Sequence, residues 1–296
     1  MNLLFTGASG FLGGNTIPFL QDYTITTLGF EPSDLVINLA NEAPVLPEKY
    51  DVVVHAAGKA HVVPRNAQEE HQFYDVNLQG TINLTKALDI VGIPNSFIFI
   101  STVAVYGIDE GENITEDHPT NPTTPFGVSK LKAEQYLVEW AEQNKVNLTI
   151  LRPSLIAGSN PPGNLGAMIS GISSGKYLSI GKASAQKSIL MVEDIANLVK
   201  LCYGKSGIYN VCSQTTPTFK ELELSISQQL GKKQPLSIPM WFAKVIARVG
   251  DLLGDKAPIN TLKLKKITQS LTFSSQKAQT ELDWKPLDIL PNFKIK

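Results

Sequence analysis

The chain has 296 residues, and 26 Lys and Arg against 27 Asp and Glu leave a net charge of −1. That length supports one large α/β domain, or a main domain with a smaller appendage, around a core needing no metal or disulfide. The balance of charge excludes a broad basic face for nucleic acid, which grips phosphates by displacing counterions. A charged fraction of 18% with 22 Gly and 18 Pro excludes disordered, coiled-coil and collagen-like chains.

Short apolar runs at 3–6, 24–28, 36–39, 51–57, 97–101 and 148–152 predict strands. Several are continuous rather than alternating, as strands buried on both faces of a parallel sheet are. Helical patterns fill 77–91 and 127–144, where Leu131, Gln135 and Val138 follow helical spacing beside Leu137 and Trp140. This order predicts an α/β fold with a doubly wound, Rossmann-type parallel sheet. Past Arg152-Pro153 the rhythm breaks. Residues 154–186 are rich in Gly, Pro, Ser and Asn, then a helix is expected near 192–202 and a strand near 208–212. Thr218-Phe219-Lys220-Glu221 has capping-box spacing and opens another helix. At 240–253, Trp241, Phe242, Val245, Ile246, Val249, Leu252 and Leu253 form a broad apolar stripe. Lys244 and Arg248 admit a membrane-surface role there, but so few basic residues favour packing against a second domain. Lys263, Lys265 and Lys266 read as a solvated face. Cys202 and Cys212 are too few for a disulfide scaffold, and the four histidines show no metal-ligand clustering, so no metal and a reducing cytoplasm are expected. The opening residues lack a basic n-region and no apolar run reaches a membrane span, so no cleaved signal and no membrane span are expected.

Thr6-Gly7-Ala8-Ser9-Gly10-Phe11-Leu12-Gly13 follows the first strand and opens a helix. Such glycines allow a tight turn, close approach of backbone to a pyrophosphate, and tight helix–sheet packing, while the helix N-terminus offers free N–H groups. Gly7, Gly10, Phe11, Leu12 and Gly13 are therefore candidate dinucleotide contacts. Gly14 and Pro18 predict a short or kinked helix. An acid ending strand two would accept from the 2′-OH of NAD. That position holds Gly29, with Glu31 two residues later and no Arg nearby for a 2′-phosphate. Glu31 leans toward NAD, yet a surface turn accounts for it equally, and Asn38-Leu39 are candidates to flank the adenine. NAD and NADP both stand.

Ser101-Thr102-Val103-Ala104-Val105-Tyr106-Gly107 ends the fifth strand, where open α/β sheets place their ligands. Pro125-Phe126-Gly127-Val128-Ser129-Lys130 opens a helix with positions 126 and 130 on one face. Here the chain resembles the extended short-chain dehydrogenase/reductase family, specifically its nucleotide-sugar epimerases, dehydratases and reductases of the UDP-glucose 4-epimerase kind. The other matching residues are Thr6, Gly7, Gly10 and Gly13, then His55-Ala56-Ala57-Gly58, Asn77 with Gly80-Thr81, Arg152-Pro153 and Val192-Glu193-Asp194. Ser275, Lys277 and Ala278 followed by Leu282-Asp283-Trp284-Lys285-Pro286 match the family's closing motif, so the resemblance runs nearly end to end.

The resemblance implies an NAD(P)-dependent enzyme in which a Tyr–Lys pair moves a proton, a Ser or Thr polarises the same oxygen, and hydride passes between sugar and nicotinamide. It gives Thr102 the hydroxyl role and Lys130 the ribose and electrostatic role. Ala56, Ala57, Gly58 and Asn77 fall on the cofactor side, and Asn164, Leu165 and Lys187 on the sugar diphosphate. It implies a UDP-hexose or UDP-N-acetylhexosamine substrate, surface-polysaccharide synthesis, and a homodimer through the helices near 77–91 and 127–144. Residues 1–153 with 187–213 would hold the dinucleotide. Residues 154–186 with 214–296 would form a smaller, discontinuous C-terminal substrate domain.

The tyrosine position holds Phe126. Three readings stand: a tyrosine deliberately replaced to trap a complex, a natural pseudoenzyme, or a substitute donor, with Tyr106 and His61 as candidates. Retention of every other motif favours the replaced tyrosine, with binding kept and turnover lowered by about 10²- to 10⁴-fold. The alternative from another class is a non-catalytic sensor of dinucleotide or nucleotide sugar. Ser101 is expected to pair with backbone, Asn77 either to cap its helix or to fix backbone near Lys130, and Arg152 to be a strand-end charge.

Overall fold

The computed structural model describes residues 1–60, 62–253 and 259–295. Strand β1 (Asn2–Thr6) leads into α1 (Phe11–Thr16), then β2 (Thr24–Gly29), β3 (Leu35–Val36) and β4 (Val52–His55). Helices α2 (Ala67–Tyr74) and α3 (Gly80–Val91) are joined by a π-helical turn, Asp75–Gln79, ahead of β5 (Ser96–Ile100). Next come β6 (Gly111–Ile114), α4 (Pro125–Asn144), β7 (Asn147–Pro153), β8 (Leu155–Ala157), α5 (Gly163–Ser173) and β9 (Leu178–Ile180). β10 (Ile189–Met191), α6 (Val192–Leu201), β11 (Gly207–Val211), α7 (Phe219–Gln229) and β12 (Leu236–Ile238) follow. The chain closes with α8 (Met240–Leu253), α9 (Thr261–Thr268), β13 (Leu271–Phe273), α10 (Gln276–Glu281) and α11 (Ile289–Asn292).

Seven strands form one parallel sheet in the order β11-β7-β5-β4-β1-β2-β3. This is the doubly wound sheet the apolar runs predict. The chain order reverses between β1 and β4, so a crevice opens at their carboxyl ends. Successive side chains on a strand point to opposite faces, and both faces are covered. Leu3, Phe5, Val52 and Val54 pack with Ile195, Leu198 and Val199 of α6 on one side. Leu4, Val53, Phe97 and Phe99 pack with Leu84 and Leu88 of α3 and Leu137 and Trp140 of α4 on the other. A third core joins α5, α7 and α11 through Leu165, Met168, Leu222, Ile226 and Ile289.

Several boundaries differ from the sequence reading. The third strand is Leu35–Val36, so Asn38 and Leu39 fall just beyond it. The helix expected from 77 begins at Ala67, where the Asn66 side chain accepts the Glu69 N–H as cap. Helix α1 is short, as Gly14 and Pro18 predict, and passes into a 3-10 turn at Ile17–Phe19. Ala278, Leu282 and Trp284, assigned by sequence to the substrate part, pack into the first core beside Leu3. Helix α8 turns its small residues, Ala243 and Ala247, to Ile180 and Leu264, while Trp241, Phe242, Val245, Val249 and Leu252 face outward. The expectation that this stripe packs against the second domain is thus corrected. The Leu253 side chain lies outside the described residues. Among the described residues no helix is long and apolar enough to cross a membrane, and no cluster of His, Cys, Asp or Glu could hold a metal.

Candidate active site

The turn after β1 is built on steric need. Gly7 has φ +74°, and a Cβ there would lie 2.7 Å from the Ala57 nitrogen; one on Gly13 would lie 2.4 Å from the Ala8 oxygen. The first glycine lets the turn close on the loop after β4, and the last lets α1 pack against its own turn. Gly10, the residue before α1, offers no side-chain cap, so the N–H groups of Phe11 and Leu12 face outward with the positive end of the helix. The turn therefore fits a pyrophosphate. Gly29 sits beside it, its Cβ position 3.7 Å from the nitrogens of Gly7 and Ala8. Glu31 is exposed, and Asn38 is exposed with its Oδ1 accepting the Ala40 N–H at 3.1 Å. The Leu39 side chain is buried and its carbonyl accepts from Asn83 at 2.8 Å.

The loop at Ala56–Lys59 is held from behind by two residues. Asn77, in the π-helical turn, accepts the Lys59 N–H at 2.7 Å and donates to the Lys59 carbonyl at 3.2 Å and to Ser129 Oγ at 2.9 Å. It is therefore an interior tie between loop and α4 rather than a cap. His55, which the sequence reading left among the motif residues without a role, is fully buried at the end of β4. Its Nδ1 meets Thr6 Oγ1 at 2.7 Å and its Nε2 meets Thr81 Oγ1 at 2.9 Å. The Thr81 hydroxyl donates to the Asn77 carbonyl, so Nε2 carries the hydrogen and Thr6 donates to Nδ1. Burial, and then the charge of Lys130, hold the imidazole down to about 3, so it is neutral.

Lys130 closes the crevice from α4. Its Nζ donates to the Ile100 carbonyl at 2.8 Å and lies 4.6 Å from the centre of the Phe99 ring. A Cβ on Gly58 would lie 3.1 Å from that Nζ. Thr102, two residues past β5, caps the 3-10 turn Val103–Tyr106, its Oγ1 accepting the Ala104 N–H at 3.1 Å. Gly127 lets that turn approach α4, since a Cβ there would lie 2.7 Å from the Ala104 oxygen. Phe126, half-buried, leans on Phe73 with ring centres 6.4 Å apart. Thr102, Phe126 and Lys130 thus gather at the end of β5 and the start of α4.

Burial pushes the Lys130 ammonium from 10.5 down to about 8, with Glu134 one turn along opposing the shift. Folding therefore releases this proton between pH 8 and 10.5, where the unfolded chain binds more protons, so native stability gains from Lys130 as pH rises. Any stability advantage of Lys130→Met over the parent is expected to shrink by up to about 3 kcal/mol across that window. Urea denaturation of both proteins at several pH values reads the gap, and a constant gap contradicts the shifted lysine.

Behind the lysine lies a buried polar network. Arg152 and Glu134 pair at 2.6 Å with both side chains buried, and Arg152 Nε also donates to Glu134 at 3.1 Å. Ser101 Oγ donates to the same carboxylate, so its hydroxyl is bound to a side chain and not to backbone as expected. Arg152 donates to Tyr106 Oη at 3.1 Å, and Tyr106 donates to Asn210 at 2.7 Å. Arg152 is a buried anchor rather than a strand-end charge, and the Tyr106 hydroxyl is fully engaged, which removes it as a substitute proton donor. His61 lies outside the described residues.

On the substrate side, a Cβ on Gly158 would lie 3.3 Å from the Phe11 ring, so the Gly/Pro loop abuts the glycine turn. Asn164 is exposed in the first turn of α5, and the Leu165 side chain points into the third core, leaving its backbone available. Lys187 meets the Asp109 carbonyl at 3.5 Å. Asp109 is also paired with Lys266 on α9.

A glycine turn at the switch point of a parallel sheet, faced by a buried lysine, defines a dinucleotide-dependent enzyme of the extended short-chain dehydrogenase/reductase type. Residues 3–212 match the NAD-dependent epimerase/dehydratase family. The chain belongs to that family, whose cofactor is NAD(P). It is 29% identical over 299 residues to N-acetyl-alpha-D-glucosaminyl-diphospho-ditrans,octacis-undecaprenol 4-epimerase of Escherichia coli O157:H7, covering 94% of this chain and 89% of the relative. It is 27% identical to UDP-glucose 4-epimerase of Vibrio cholerae, covering 96% and 90%. A UDP-glucose 4-epimerase of Thermotoga maritima, solved with UDP-glucose, shares the fold at a TM-score of 0.77 and 18% identity, covering 99% of this chain and 96% of the other.

Proposed function

We propose that the protein is an NAD(P)-dependent nucleotide-sugar epimerase or 4-keto-sugar reductase. Its substrate is a UDP-hexose or UDP-N-acetylhexosamine, its setting cytoplasmic surface-polysaccharide synthesis, and its turnover is reduced by Phe126. The observation that carries this reading is one loop touching both ends of the chemistry. Ala57 closes on Gly7 while Gly58 lies against Lys130 Nζ, so a dinucleotide bound at the turn extends toward the lysine. Gly7, Gly10, Phe11, Leu12 and Gly13 hold the pyrophosphate, with Glu31, Asn38 and Leu39 toward the adenosine. Ala56, Ala57, Gly58 and Asn77 shape the nicotinamide end. NAD(P), when bound, supplies the exchange of hydride with the sugar carbon.

The chain's own residues then bind and orient. The Thr102 hydroxyl holds the reacting sugar oxygen, and the Lys130 ammonium favours negative charge developing there. Asn164, the Leu165 backbone and Lys187 take the diphosphate. Phe126 supplies a ring that limits water but carries no proton. Both curated relatives act on a sugar joined to a diphosphate, one on undecaprenol and one on uridine, which supports that part of the substrate. A homodimer would use the faces of α3 and α4. The missing hydroxyl at Phe126 also favours a second reading, a sensor that binds dinucleotide and nucleotide sugar without turnover.

Calorimetric titration with NAD(H) and NADP(H), and melting with a UDP-sugar panel, test the binding shared by both readings. A dinucleotide is expected to bind, and a UDP-sugar to raise the melting temperature. Gly13→Ala, whose methyl meets the Ala8 backbone, is expected to weaken dinucleotide binding by about tenfold or more. Failure of every dinucleotide to bind the parent protein overturns the proposal.

A further inference from the structure

Helix α8 is built inside out for a helix of a globular domain. Its buried side is Ala243, Ala247 and Gly250, while its large apolar side chains face water. Trp241 is 68% exposed, Leu252 87%, Val249 57%, Val245 50% and Phe242 42%. At 3.6 residues per turn these five positions fall within about 100° of one another, a continuous stripe along the helix. Exposed Lys244 and Arg248 border one edge of it. Asp251, the one acid on the helix, is turned to α9, where it accepts the Thr261 N–H at 2.9 Å and the Thr261 hydroxyl. Leu236 and Leu178, in register on the strand pair ahead of the helix, are exposed as well.

We infer that this face of α8 docks on an anionic phospholipid bilayer. A helix of 14 residues spans about 21 Å, short of the hydrocarbon thickness, so it lies in the plane of the interface rather than across it. Trp, Phe, Val and Leu supply the apolar face, and the flanking Lys and Arg meet lipid phosphate, the pattern of an in-plane amphipathic helix. A second copy of the helix would offer Lys244 and Arg248 a single carboxylate, Asp251, which already accepts two hydrogen bonds from Thr261, whereas an anionic bilayer offers a continuous field of phosphates. The docking stands on α8 alone.

Trp241 makes the test direct, since Trp140 and Trp284 are already buried. The full chain is mixed with phosphatidylcholine vesicles with and without phosphatidylglycerol, and flotation and tryptophan emission are read. Flotation with the anionic vesicles and a blue shift are expected, with Trp241→Phe abolishing the shift. Val245→Glu with Val249→Glu is expected to weaken flotation by about tenfold or more. These positions are on the surface, and unchanged dinucleotide binding by the double variant certifies its fold. Absence of flotation, flotation indifferent to the double variant, or a concentration-dependent dimer that the variant dissolves overturns the inference. None of these readouts uses catalysis, so the docking and the enzymatic reading fail separately.

Discussion

Phe126→Tyr is expected to raise turnover on the cognate nucleotide sugar by about 10²- to 10⁴-fold, equivalent to roughly 3–5 kcal/mol of barrier. The surroundings already suit a phenol. The ring at 126 leans on Phe73 at 6.4 Å and is half-buried, so one added oxygen at its edge displaces little. Lys130 stands four residues on, on the same helical face, and is cationic below about pH 8. A cation there lowers the pKa of a neighbouring phenol, which prepares it to take a proton from a sugar hydroxyl. Dinucleotide affinity should be unchanged, because the turn at Gly7–Gly13 is untouched. Steady-state rates across UDP-hexoses and UDP-N-acetylhexosamines decide the matter. A gain supports the enzyme, whereas inactivity of both proteins on every sugar supports the sensor.

Arg152→Met is expected to destabilise the fold by about 3–5 kcal/mol. The pair with Glu134 is buried on both sides, so removing the cation strands a carboxylate whose remaining side-chain partner is the Ser101 hydroxyl. Tyr106 loses a donor at the same time. Replacing Glu134 by Met together with Arg152 should recover part of that loss, because neither half of the pair is then stranded, while the buried Lys130 ammonium loses the carboxylate that supports it. Urea denaturation of the three proteins measures it. A single-variant cost below about 1 kcal/mol would be that of an exposed pair and would contradict the buried geometry. Because Glu134 lies one turn beyond Lys130, the single variant should also slacken the helix that presents the lysine.

Much of this architecture was legible in the chain. Continuous apolar runs betray strands covered on both faces, and a glycine pattern between strand and helix admits few other uses. The residues that escaped did so because their partners are remote in sequence. Arg152 looks like any strand-end charge until Glu134, on another element, is seen beside it. Ser101 and Tyr106 belong to the same network, and their hydroxyls give no local sign of it. Asn77 was ambiguous because the helix containing it starts ten residues earlier, at Ala67, and because a π-helical turn has no periodic signature of its own. For α8 the pattern marked an apolar stripe correctly but could not say which side meets the core. Alanine packs closely without raising the hydrophobic signal, so the small face was invisible beside the large one.

The chain of contacts from Thr6 through His55 and Thr81 to Asn77 has a single polarity. Each hydroxyl has one hydrogen to give, and each is already spent in the same direction. An extra proton on the imidazole would point at the Thr6 oxygen, whose own hydrogen points back, so the wire can be charged only by breaking it. The rear wall of the crevice is therefore electrically silent at any pH well above 3, and the titrating group that stands against it is Lys130.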